Sequence, residues 1–243
     1  MRIIKLDAID STNTYLKRLS SGGNAEDGLT VVANLQTNGR GQMGTVWSSQ
    51  EAKNLTFSVF KDVSFLNIRQ HFYISMAVSL AVYEALKSLG IAKLKVKWPN
   101  DILSDNKKIG GILIENVIKI NVISGSVIGI GLNVNQTDFT GLPNASSLLL
   151  LSGQVNNLDE VLNLVLKQID THFNCLKEKQ FKSLKARYES QLFRKNKPST
   201  FQDAEGSVFS GYIIGISDVG LLHVKVEGNK IRSFDFKEVA LLY

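Results

Sequence analysis

The residues best suited to chemistry lie in two stretches. The first is Gln36-Thr37-Asn38-Gly39-Arg40-Gly41-Gln42-Met43-Gly44-Thr45-Val46-Trp47, with three glycines in six residues and one Arg between two of them. Backbone amides in such a loop can turn inward as an anion-binding nest. Arg40 adds a planar fork that matches carboxylate or phosphate. A plain glycine-rich hairpin loop with an exposed Arg accounts for the same residues equally well. The second stretch is Lys97-Trp98-Pro99-Asn100-Asp101, followed by Lys108-Ile109-Gly110-Gly111. Strict alternation places Lys108 and Gly110 on one strand face, with Lys107 turned to solvent. Gly110 then leaves room for a substrate beside the Lys108 ammonium. Two turn lysines are the simpler account.

Composition excludes several classes. The chain has 243 residues, 44% of them hydrophobic, and only three prolines. It can bury a sizeable core as one large domain, or one with a small appendage. No apolar run reaches the roughly 18 residues a membrane helix requires, and the N-terminus lacks a signal-peptide pattern. A cytoplasmic protein without a membrane partner is expected. The lone Cys175 leaves no partner for an internal disulfide or a cysteine zinc site. His71, His172 and His223 have no metal-type spacing. There is neither a Gly-x-x-x-x-Gly-Lys-Ser/Thr loop nor a Gly-x-Ser-x-Gly elbow. The net charge of +6 is spread over scattered lysines, which read as solvated surface and not as a DNA-binding face.

The elements that must position these residues follow from periodicity. Residues 2–6 read as a strand. Asp10-Ser11-Thr12-Asn13 supplies cap-type residues before Tyr15, Leu16 and Leu19 at helical spacing. Those hydroxyls serve as caps, or as caps that also aim at a ligand. Leu29–Ala33 and Leu55–Phe60 read as strands flanking the glycine loop. Ile68 to Leu89 is apolar on almost every side and stops at Gly90, which predicts a buried helix. Leu94, Val96 and Trp98 alternate with Lys93, Lys95 and Lys97 as a half-buried strand, broken by Pro99-Asn100-Asp101. Residues 109–115 and 122–130 form an expected hairpin joined by a short connection. Helices are expected over 158–173 and 181–192. Beyond Arg194-Lys195-Asn196-Lys197-Pro198, about five short strands suggest a small barrel.

In order, Ser11-Thr12-Asn13, Gly39-Arg40-Gly41 with Trp47, Lys97-Trp98-Pro99-Asn100-Asp101, Lys108-Ile109-Gly110-Gly111 and Gly129-Ile130-Gly131-Leu132-Asn133 resemble the biotin protein ligases. The similarity covers residues 3–150 by motif and the remainder by layout. It implies an α+β fold, a class II synthetase-like catalytic domain (residues 1–192) with a mixed β-sheet and packed helices. A small SH3-like β-barrel (193–243) follows. It implies ATP, Mg²⁺ and biotin as reactants. The product is biotinyl-5′-adenylate, then biotin on a lysine of a biotin carboxyl carrier domain. The chain starts directly at the catalytic domain, so the form without an N-terminal DNA-binding domain is expected, with no repressor role and no DNA partner. Pairing into a homodimer through the sheets is a further property that relatives can have.

By the same resemblance, Ser11, Thr12, Asn13 and Gln36 line the ureido end of biotin. Gly39, Arg40, Gly41 and Gln42 close over biotin and the adenylate, beside Gly111. Lys108 reaches the biotin carboxyl oxygen and the phosphate. Asn133 contacts adenine, Asn100 lies by the nucleotide, and Trp47 packs on the nucleotide or in the core. Asp101 sits near the metal or orients the acceptor lysine; no metal ligands are assigned. Arg40, Lys108 and Asp101 form the catalytic set. Three positions depart from the family: Gln42, where many members have Arg; Thr45, near which they have Arg or Asn; and Gly110, which often aligns with Ala. Two other readings stand beside the ligase, a lipoate-protein ligase and a non-catalytic biotin-binding protein.

Overall fold

The computed structural model describes residues 2–119 and 122–243. The N-terminal unit is built on a seven-stranded mixed sheet. Its strands are β1 (Ile3–Ile9), β2 (Thr30–Gln36), β3 (Leu55–Lys61), β4 (Leu94–Lys97), β5 (Asp101–Ser104), β6 (Lys107–Lys119) and β7 (Val122–Leu132). They lie in the order β1-β2-β3-β7-β6-β5-β4. Only β1 and β2 pair in parallel; every other neighbouring pair is antiparallel. The connection expected in the β6–β7 hairpin, residues 120–121, lies outside the described residues.

Alternation along the strands separates two faces. Val31 joins Leu16, Leu29 and Val127 under α1 (Thr12–Ser21), while Val32 packs on the main core on the other side. That core is organised by α2 (Phe72–Ser88), buried at twelve of its 17 positions. A helix apolar around most of its circumference is stable only when covered. Here the sheet covers one side, and α4 (Leu158–Lys177) and α5 (Phe181–Ser190) cover the rest. Gly90 ends it at φ 77°, with Gly90 N–H on the Lys87 carbonyl (3.0 Å) and Ile91 N–H on the Leu86 carbonyl (3.2 Å). A short α3 (Leu148–Ser152), capped by Ser147, follows the exit of β7.

Two features between residues 97 and 111 differ from the periodicity reading. Trp98 is not in a strand: β4 ends at Lys97, and the chain returns at Asp101 as β5, which pairs antiparallel with β4. A strand of four residues directly after Pro99 carries no alternation long enough to be read. Asp105-Asn106 then form a two-residue turn, and Lys107 and Lys108 already belong to β6. The second difference is a β-bulge. Ile102 pairs with Gly110, but the next residue, Leu103, pairs with Lys108. Ile109 is therefore the extra residue, and it reverses the alternation on either side of itself.

A five-stranded antiparallel sheet of order β11-β10-β9-β8-β12 closes the chain. Its members are β8 (Pro198–Asp203), β9 (Val208–Ile216), β10 (Leu222–Lys225), β11 (Ile231–Phe234) and β12 (Val239–Leu242), an SH3-like arrangement. Residues 191–193 continue the large sheet beyond β4, through Val96 N–H to the Gln191 carbonyl (2.9 Å) and Phe193 N–H to the Val96 carbonyl (2.8 Å). The Trp98 indole N–H donates across the junction to the Gly220 carbonyl (2.8 Å). Among the described residues no helix is long and apolar enough to cross a membrane.

His172 sits fully buried where α4 meets α2 and α5. Its Nε2 lies 3.1 Å from Glu84 Oε2, and the other Glu84 oxygen accepts from Arg187 at 2.5 Å. Its Nδ1 has no partner among the described residues. Burial pushes the imidazole below its ordinary 6.5 and outweighs the opposing pull of Glu84. The unfolded chain thus takes up a proton that the folded chain refuses. The contribution is fully present above 6.5 and is lost as pH falls from there through the folded value. Urea midpoints measured from pH 7.5 down to 5 should fall across this window, and the His172→Gln variant should show a shallower slope. Identical slopes would remove His172 as the cause.

Candidate active site

The site begins with missing side chains on the central hairpin. Gly129 and Gly131 of β7 point toward the α1 face of the sheet, as does Gly111 of β6. A Cβ at Gly129 would overlap the Asn13 side chain, and one at Gly131 would overlap the Trp47 indole. At Gly111 a Cβ would meet Trp47 at 3.2 Å, the Lys108 side chain at 3.6 Å and Asp101 Oδ1 at 3.7 Å. The bulge at Ile109 therefore corrects the alternation argument. Gly111, not Gly110, lies beside Lys108. A Cβ at Gly110 would instead meet Leu132 Cδ2 at 2.6 Å. Over this bare floor opens a cavity of about 570 Å³, a size ordinary for a small-molecule site.

One end of the cavity is a hydrogen-bonded wall at the start of α1. Ser11 caps the helix through a long contact to Thr14 N–H (3.5 Å). Thr12 N–H donates to Gln36 Oε1 at 2.8 Å. Ser58 Oγ lies 2.5 Å from Asn13 Oδ1 and 2.7 Å from Thr12 Oγ1. Because Asn13 Oδ1 can only accept, Ser58 donates there, and the single Thr12 hydroxyl proton serves either Ser58 Oγ or Gln36 Oε1 at 3.1 Å. Asn13 spends its amide on the Leu113 carbonyl (3.3 Å) and on Glu115 Oε2 (3.0 Å). Asn13 and Thr12 thus shape the wall. The Gln36 Nε2 amide has no partner among the described residues and is available to a ligand.

The glycine loop folds over this wall as a small hairpin, with Gly41 N–H on the Thr45 carbonyl (2.7 Å) and Trp47 N–H on the Gly39 carbonyl (2.9 Å). Arg40 reaches β6 and binds Glu115 with both terminal nitrogens, at 3.3 and 3.2 Å. Glu115 also accepts from Lys17 at 3.2 Å. Burial alone would raise its carboxyl, but the Asn13 and Lys17 hydrogen bonds and the Arg40 and Lys17 charges together hold it below its ordinary 4.5. Opposite the loop, Lys108 Nζ pairs with Asp101 Oδ1 at 2.7 Å and lies 5.8 Å from the Trp47 ring centre. Asn100 is tied to β6, its amide on the Ile112 carbonyl at 2.9 Å. The indole N–H of Trp47 is buried and has no partner among the described residues.

Twelve of the fourteen residues expected at the site therefore line one cavity: Ser11, Thr12, Asn13 and Gln36, then Arg40, Gly41, Gln42 and Trp47, then Asn100, Asp101, Lys108 and Gly111. Two do not. Gly39 lies under the loop, where a Cβ would overlap the Trp47 carbonyl. Asn133 is buried at the exit of β7, its amide donating to the Ser146 carbonyl at 3.0 Å. Sequence reasoning missed Ser58, Glu115 and Lys237. Glu115 could have been found from its place in the strand that follows Lys108; Ser58 and Lys237 had no sequence signal. Four cations line the cavity (Arg40, Lys97, Lys108 and Lys237) against one carboxylate among the described residues, Asp101. Such a site selects anions. Among the described residues no cluster of three or more acidic, His or Cys side chains could hold a metal by itself.

A family model for the Biotin/lipoate A/B protein ligase family matches residues 6–133. The bifunctional ligase/repressor BirA of Bacillus subtilis is 30% identical over 243 residues, covering 97% of this chain and 73% of that protein. The biotin–[acetyl-CoA-carboxylase] ligase of Mycobacterium tuberculosis is 32% identical over 163 residues, 66% of this chain and 59% of that one. Among solved structures, biotin protein ligase from Aquifex aeolicus in complex with biotin and ATP superposes with a TM-score of 0.82 at 31% identity, over 99% of this chain and 98% of that chain. Fold and cavity together define a ligase-type α+β enzyme with an SH3-like companion. The chain belongs to the biotin/lipoate A/B protein ligase family.

The floor makes a direct prediction. Gly129→Ala should displace Asn13 from its Ser58 and Glu115 partners and destabilise the protein by about 1–3 kcal/mol, the usual cost of overpacking. Urea denaturation checks this; an unchanged midpoint would show that the wall can yield without loss.

Proposed function

We propose that the chain activates biotin with ATP and transfers it to a lysine of a biotin carboxyl carrier domain. The observation that carries this reading is the cavity itself: polar at the α1 end, bare at its floor, and walled by cations from four separate segments. The biotin- and ATP-bound relative of the same fold supports it. A carboxylate and a triphosphate repel one another. Fixed cations and loop amides offset that repulsion and add to the rate by holding the two reactants together.

In the first step a biotin carboxylate oxygen attacks the α-phosphorus. A P–O bond forms, the bond to the bridging oxygen breaks, and pyrophosphate leaves. Lys108 stands between Asp101 and Trp47, placed to follow the carboxylate oxygen as it becomes the anhydride oxygen. Arg40 and Gly41 close the loop above it. Ser11, Thr12, Asn13 and Gln36 receive the ureido ring. Trp47 and Asn100 border the nucleotide. Asn133, which the resemblance puts at the adenine, holds the Ser146 carbonyl. In the second step a carrier lysine amine attacks the acyl carbon. The acyl C–O bond breaks, AMP leaves, and the amine loses its proton. Asp101 orients that amine. The donor set fits Mg²⁺ of the kind held mainly by substrate phosphates and water with one carboxylate, and Asp101 would be that carboxylate. The ion would neutralise phosphate charge.

A mixture of protein, ATP, Mg²⁺, biotin and a purified carrier domain should give an acceptor that gains the mass of one biotinyl group. Gain with lipoate in place of biotin, or with neither, would reject the reading. Lys108→Ala should slow pyrophosphate exchange by about 10²–10³-fold with little change in unfolding midpoint; wild-type exchange would remove Lys108 from the site. Gln42→Arg adds a cation to the loop and should slow release of the adenylate, read by rapid gel filtration; unchanged release would show that position 42 does not hold it.

A further inference from the structure

The barrel supplies one residue that nothing in the active-site motifs points to. Lys237 lies in the turn between β11 and β12. That turn is tied internally by Asp235 N–H to Glu238 Oε2 (2.7 Å), Phe236 N–H to Asp235 Oδ1 (2.6 Å) and Glu238 N–H to the Asp235 carbonyl (3.1 Å). Ala204 N–H ties it to the rest of the barrel through the Glu238 carbonyl (3.1 Å). Beside Lys237, Phe236 meets Trp98 edge-on with ring centres 6.5 Å apart. Trp98 is itself bonded to the Gly220 carbonyl. The turn is thus fixed against both units. From it Lys237 Nζ reaches back 194 positions in sequence to the Met43 carbonyl, at 3.2 Å.

Met43 is at the tip of the glycine loop and is 66% exposed. No residue from Gly41 to Val46 is buried, so apolar burial does little to hold the tip. Among the described residues two side-chain tethers join it to distant parts of the chain: Arg40 to Glu115 on one side, Lys237 to Met43 on the other. The neighbour of Met43 inside the cavity is Gln42, which is neutral. Lys237 lines the same cavity and places there a positive charge that position 42 lacks. An ammonium has three protons. One serves the Met43 carbonyl, and the others stay available to an anion beneath the loop.

We propose that Lys237 is a positioning residue, a latch by which the C-terminal barrel holds the glycine loop closed over the adenylate and slows its escape. The proposal rests on the adenylate-forming reading above, and it has a readout independent of that reading. Arg40 is a trypsin site within the latched loop, so cleavage after Arg40 in the protein without substrates reports loop opening. In Lys237→Ala that cleavage should quicken about three- to tenfold, the effect of one net hydrogen bond on an opening equilibrium. Release of adenylate formed from radiolabelled biotin, ATP and Mg²⁺ should quicken by a similar factor. Lys237→Arg, which keeps charge and donors, should restore both rates. Cleavage after Arg40 at the wild-type rate in Lys237→Ala overturns the latch. If wild-type protein forms no adenylate, the functional reading fails, and the cleavage result alone decides the latch.

Discussion

Everything at this site depends on a patch of sheet with no side chains. Gly111, Gly129 and Gly131 clear one face of the central hairpin, and both Asn13 and Trp47 lie in the space gained. Glycine in a strand interior weakens it, through chain entropy and lost packing. The hairpin tolerates three because its other face is fully used: Ile128 and Ile130 of β7 and Ile112 of β6 are buried in the main core. It is also flanked on both sides, by β3 and by β5. One face carries the stability and the other the site, a division that strand alternation makes available.

Glu115 connects the two ends of that site. It collects hydrogen bonds from Asn13 at the helix start and from Arg40 in the glycine loop. Its side chain is only 15% exposed, so an unpaired charge there would be costly, and its four donors remove that cost. The helix that forms the polar wall of the cavity and the loop that folds over it are therefore held by one carboxylate.

The large elements were legible because each carries its own repeat. The all-round apolar pattern of α2 and the apolar runs of β6 and β7 needed no partner to be recognised. What escaped depended on contacts between distant residues or on a single extra residue. The bulge at Ile109 changes no composition, yet it moves Lys108 from the side of Gly110 to that of Gly111. β5 is too short to show a period. Ser58 looks like any strand serine until the fold sets it against Thr12 and Asn13, 46 and 45 positions away. Asn133 stands in its motif, but its hydrogen bond to the Ser146 carbonyl, 13 positions on, depended on the fold.

Two of the cavity's cations are held by protein carboxylates, Lys108 by Asp101 and Arg40 by Glu115. Such pairs hold the side chains in place without sequestering them. The Lys108 and Arg40 side chains are 38% and 43% exposed, and ion pairs in such settings contribute about 0–1 kcal/mol. An anionic ligand of higher charge competes against a weak bond at each cation. Orientation is then settled before the anions arrive, and little energy is lost in releasing the cations to them. A deeper pair would have held the residues more firmly and been slower to let go. The half-exposed placement of both lysine and arginine is what reconciles a formed site with one whose charges remain available.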